Sequence, residues 1–160
     1  MGPVVKILRS TKFRLPSSLE GPRTVKVGFP AGESDAGNIQ KAVWNEFGTK
    51  GSGKGFKTAR GGGFGGPIPE RPFLRNAMRN NEHGYKTIMG QQASKLLRSE
   101  TSMSAIMAKL GVRAQVDIQS EIETLASPPN SPVTIAIKGS NNPLMDSGAM
   151  RAAVGWKVNE

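Results

Sequence analysis

Residues 23–29 (RTVKVGF) alternate in character, with Val25, Val27 and Phe29 on one side and Lys26 and Gly28 on the other. A period of two predicts a half-buried strand, which Pro30 and Gly32 stop. Residues 41–47 (KAVWNEF) are short and rich in strand-favouring Val, Trp and Phe; with a turn-like GESDAGN before them and Gly48 after, they predict a second strand. From Pro72 the spacing lengthens to three and four. Phe73, Ala77 and Met78, then Tyr85, Ile88, Met89, Gln92, Ala93 and Leu96, predict a helix that Gly84 breaks or kinks. A second helix starts at Thr101 or Ser102, both competent N-caps, and carries one apolar stripe through Met103, Met107, Leu110, Ala114, Ile118, Ile122 and Leu125. It must end before Pro128-Pro129. Residues 131–139 read equally as a short helix with Pro at its first position, closed by Gly139, or as a strand through VTIAI. Residues 150–158, around Trp156, predict a final strand. The expected fold is α+β, a small antiparallel β-sheet with two long α-helices packed on one face.

Residues 48–66 (GTKGSGKGFKTARGGGFGG) hold nine glycines and the four cations Lys50, Lys54, Lys57 and Arg60. Ordering glycine costs entropy and nothing there can be buried, so a long Gly-rich basic loop is expected, disordered in a free subunit. A chain of 160 residues suits one domain. The reading is a basic N-terminal arm over 1–22 and a single domain over 23–160, with the loop at 48–66. Apolar residues make up only 36% and glycine 20 positions, so stabilising contacts from neighbours are expected. The net charge of +10 is lopsided: residues 1–79 hold 14 Lys/Arg against 5 Asp/Glu, residues 80–160 hold 8 against 7. Such asymmetry marks contact with a polyanion or an acidic protein surface. Without cysteine there are no disulfides or thiolate metal sites, which fits a reducing cytoplasm. No segment approaches the ~18 apolar residues that span a membrane, and the basic N-terminus lacks a signal's apolar region, so no membrane partner is expected.

Motifs suggestive of chemistry fail on inspection. Residues 48–55 match seven positions of a phosphate-binding loop, but Gly55 stands where a magnesium-ligating hydroxyl is needed, and GFKTARGGGFGG will not hold the helix required after the lysine. The Gly61-x-Gly63-x-x-Gly66 spacing precedes prolines, not a helix. His83 is the sole histidine, which excludes a zinc site and any His-containing triad assembled elsewhere. Asp117, Glu121 and Glu123 read as a solvated or intersubunit helix face. No catalytic residue, cofactor or metal is expected, and the chain does not read as an enzyme.

Three segments in order resemble the tail-completion, or neck, proteins of long-tailed bacteriophages, including the phage virion morphogenesis type. They are VGFPAG followed by AVWNEFGT (27–32 and 42–49), IPERPFLRNA (68–77) and SPPNSPVTIAIKGSNNPLMDSGAMRAAV (127–154). The similarity covers about residues 23–158, with Ser147 and Met150 where Thr and Leu are commoner. The resemblance implies a virion structural protein, made in the host cytoplasm, that forms a homo-oligomeric ring at the head–tail junction. A hexamer matches the sixfold symmetry of tails. Implied partners are adjacent neck, connector or tail-tube proteins, and double-stranded DNA passing through the lumen. In this frame Pro69 and Pro72 hold Arg71 extended so that its fork reaches a carboxylate on a neighbouring segment or subunit. Phe73 anchors the first helix in the core. Asp146 suits an Asx turn or helix N-cap, Gly148 permits a tight approach, and the cations of 48–66 dock on an adjacent neck protein. The alternative is a small basic nucleic-acid-binding protein clamping with residues 1–14 and 48–66.

Overall fold

The computed structural model describes residues 16–51, 55–58 and 61–159, with 55–58 and 61–64 as backbone. Along the chain come a 3-10 turn at Ser17–Leu19, β1 (Thr24–Gly28), α1 (Ala36–Phe47), β2 (Gly55–Thr58), β3 (Gly61–Phe64), α2 (Phe73–Leu97), α3 (Met103–Thr124), α4 (Pro132–Lys138), α5 (Ala149–Ala152) and β4 (Gly155–Asn159). The α+β expectation holds: β1 and β4 form an antiparallel pair, and α2 and α3 pack against it. The register sets Val25 opposite Val158 and Val27 opposite Trp156.

The apolar stripe of α3 does what its spacing predicts. Met107, Ala114, Ile118, Ile122 and Leu125 are buried, Met103 and Leu110 partly so. Helices α2 and α3 run antiparallel, as Asn76 bonds Glu121, Tyr85 bonds Asp117, and Leu96 packs with Ile106 and Met107. Phe73 is fully buried and meets Phe29 edge-on, with centroids 6.3 Å apart. Helix α3 lies flush on β4 because Gly111 has no side chain; a Cβ there would stand 2.5 Å from the Trp156 ring.

Four expectations change. Residues 41–47 are the second half of helix α1, not a strand. The Asp35 carboxylate accepts hydrogen bonds from the Gly37 and Asn38 amides at 2.9 and 3.3 Å, starting the helix inside the stretch that read as a turn. Ala42 and Glu46, one turn apart, face the core, and Val43, Trp44 and Phe47 point outward, where strand propensity decides little. Second, the expected loop at 48–66 contains a hairpin, β2 paired antiparallel with β3. Its root is an antiparallel bridge between Thr49 and Ile68, and Gly51 lies so close to Gly65 and Gly66 that a Cβ would be 2.5 Å from the Gly66 carbonyl carbon. Third, α2 passes Gly84 unbroken. Fourth, residues 149–152 form a short helix before β4 begins at Gly155. The ambiguous 131–139 segment is helical: Ser131 Oγ accepts from the Thr134 amide at 3.2 Å and Gly139, at φ +71°, closes it.

Candidate functional site

The motif residues of 45–49 and 68–77 build one clasp. Helix α2 begins after Pro72, whose ring carries no acceptor to cap it. The missing acceptor comes from α1. Glu46, 2% exposed, accepts the Leu74 amide at 2.9 Å, the Arg75 amide at 3.3 Å and Arg75 Nε at 2.8 Å. A carboxylate here satisfies helix-end amides and meets the positive end of the helix dipole. Arg75 also donates to the Glu46 carbonyl and to Glu70; its bond to the Glu46 carboxylate first, then that to Glu70, holds its guanidinium above the usual arginine value.

Arg71 is the second half of the clasp, and here the expectation of a carboxylate partner is corrected. At 4% exposure it lies inside the fold of its own chain, with Nε donating to the Pro128 carbonyl at 2.8 Å and Nη2 to the Pro129 carbonyl at 3.0 Å. Nη1 donates to Asn45 Oδ1 at 3.0 Å, and the Arg71 amide to the Asn45 carbonyl at 2.6 Å. Neutral acceptors do not offset its desolvation, which pulls its pKa below the ordinary value. The fork thus ties α1 and the start of α2 to the 128–130 turn.

The other residues that the sequence singled out scatter, apart from the buried Phe73. Lys50 is exposed near the hairpin root and Lys57 lies in β2, while Lys54 and Arg60 fall outside the described residues. Asp146 is exposed and is not the N-cap of α5, a position that Gly148 takes; nearby, Asn142 makes an Asx turn, its Oδ1 accepting from the Leu144 and Met145 amides. Asp146 instead lines a cleft of about 130 Å³ with Lys41, Asn45 and Lys138. Burial lowers the Lys138 pKa against the opposing pull of Asp146. Gly148 is needed for its φ of +77° before α5, not for a tight approach, since a Cβ would meet only Met145 Cε, at 3.9 Å. Asp117 is not solvated. It is buried, accepting Tyr85 Oη at 2.9 Å and Arg113 Nε at 3.0 Å, and burial followed by that bond raises the Tyr85 pKa.

Two apolar surfaces lie outside the expectations drawn from the sequence. On α1, Val43, Trp44 and Phe47 form a ridge whose members are 42 to 66% exposed, with Arg75 Cζ 5.3 Å from the Phe47 ring centroid. Between α2 and α3 runs an open groove of about 680 Å³, floored by Ile88, Val112 and Val116 and edged by Lys109 and Arg113. Val112 and Val116 are half exposed, one turn apart on the flank of α3 away from its buried stripe. That second stripe was the available signal. Among the described residues, no group of three or more His, Cys, Asp or Glu could hold a metal ion, and no helix is long and apolar enough to cross a membrane. No protein-family model, curated protein or solved structure matches the chain.

Proposed function

We propose that this chain is a structural subunit of a tailed-phage virion, forming a ring at the head–tail junction that completes the tail and through which the genome passes. One observation carries the reading: a single subunit exposes two separate apolar surfaces, a convex ridge and an open groove. Surfaces of this kind mark sites of protein association, and two different ones on one chain suit a head-to-tail contact that closes into a ring. The three neck-like segments support the same reading, and the clasp gives their residues a physical role in holding α1, with its ridge, at a fixed angle to α2. No covalent chemistry is assigned to the subunit. The test is to purify particles of the phage that encodes the chain, quantify the protein and localise it by antibody labelling. A few copies per particle at the neck are expected; absence from intact particles would overturn the proposal.

A second reading has its own observation. The outward face of the β1–β4 pair sets Lys26 directly opposite Lys157, with Thr24 on the same side. Of these cations, among the described residues, only Lys157 has an acidic partner, Glu33 at 2.8 Å. Facing lysines cost stability unless an anion lies across them. Salt-dependent duplex-DNA binding by the isolated subunit, without ring formation, would favour a nucleic-acid-binding protein.

A further inference from the structure

We infer that the α1 ridge of one copy seats in the α2–α3 groove of the next copy, a contact that rests on the ring reading above. The ridge offers Trp44 and Phe47 on a helix surface; the groove offers Ile88, Val112 and Val116 as a floor. The two cannot meet within one chain. Arg75 lies over Phe47 at one end of α2, and Ile88 is 13 residues further on. At ~1.5 Å of rise per residue this separates them by about 20 Å along one rigid helix. The ridge can therefore seat in such a groove only on another copy.

Shape and charge select another copy in head-to-tail orientation. Two ridges packed together would leave both grooves open, with Val112 and Val116 still in water. Two grooves packed together would set Lys109 and Arg113 against the same cations. Ridge in groove buries the rings and brings Glu70, exposed beside the ridge and bonded to Arg75, towards the Lys109 lip, which has no ion pair among the described residues. The area sets the strength. Aromatic side chains bury ~150–250 Å² each, so the half-exposed ridge contributes on the order of 300 Å² of apolar surface. A stable pairwise interface buries roughly 800 Å² per partner. A lone pair of subunits is therefore weak, and closure, in which each copy makes the contact twice, stabilises the ring.

Because the chain contains no cysteine, introduced thiols report this contact without background. Phe47→Cys and Val116→Cys are made singly and together, checked for unchanged melting, and treated with a short bis-maleimide both at high protein concentration and within particles. The expected result is a covalent dimer only when the two single variants are mixed, and from the double variant a ladder ending at one discrete closed size. A dimer from either single variant alone, or no product from the mixture although the protein sediments as an oligomer or is present in particles, overturns the ridge-in-groove contact while leaving the ring reading standing. A subunit that stays monomeric at all concentrations and is absent from particles overturns both.

Discussion

Glu46 is a buried acid whose carboxylate oxygens face two backbone amides and one guanidinium. Replacing it with alanine leaves the Leu74 and Arg75 amides without an acceptor, so Glu46→Ala is expected to cost about 1–3 kcal/mol, read as a lower urea midpoint. Glu46→Gln, which keeps one acceptor oxygen, should lose less. The helical glycines make a matched pair of opposite sign. Gly→Ala in a helix gains up to about 1 kcal/mol where space is free, as it is at Gly84. At Gly111 the new methyl would drive into Trp156, and the same change is expected to destabilise by about 1–3 kcal/mol and to alter the tryptophan emission. Arg71 was legible as a motif residue, but its partners were not. They are carbonyls and amides 26 and 57–59 positions away, and no local pattern points to them.

Among the elements, the long ones were legible and α1 was not, for a physical reason. The stripe of α3 has an uninterrupted three-to-four spacing and a true N-cap, Ser102, whose oxygen accepts from the Ala105 amide at 3.2 Å. Ser102→Ala is expected to cost about 1 kcal/mol, measured by thermal melting. In α1 the position facing the core one turn after Ala42 is a glutamate, and the large apolar residues face out. Helical periodicity is inverted there, so Val, Trp and Phe read as strand propensity. The hairpin was hidden for another reason: β3 is Gly-Gly-Gly-Phe, a composition with little intrinsic preference for a strand. Val112 and Val116 were legible as a second stripe, but the ridge and groove become surfaces only once the helices are placed.

Over the whole molecule, the buried contacts linking α2 to α3 include one that titrates. Tyr85 sits between the helices with its pKa raised above the ordinary 10.0, first by burial and then by its bond to Asp117. The folded chain keeps that proton where the unfolded chain has begun to lose it. The contribution is therefore complete below pH 10 and falls away as pH rises beyond it. Wild-type stability is expected to decline above pH 10 more steeply than that of Tyr85→Phe, by denaturant unfolding across that range. At neutral pH the variant should lose about 1 kcal/mol with the hydrogen bond.

The hairpin root has a consequence for modularity. The chain leaves the body at Thr49 and returns at Ile68, and the bridge between them holds the two ends one inter-strand spacing apart, ~4.8 Å. Any segment whose ends lie that close satisfies the same doorway. Lengthening a flexible segment twofold costs only about 0.6 kcal/mol in closure entropy. The body therefore constrains the doorway far more than what passes through it. An epitope or small domain spliced in here is expected to leave the melting temperature of the body unchanged, because the glutamate and arginine of the clasp hold the frame on either side of the doorway.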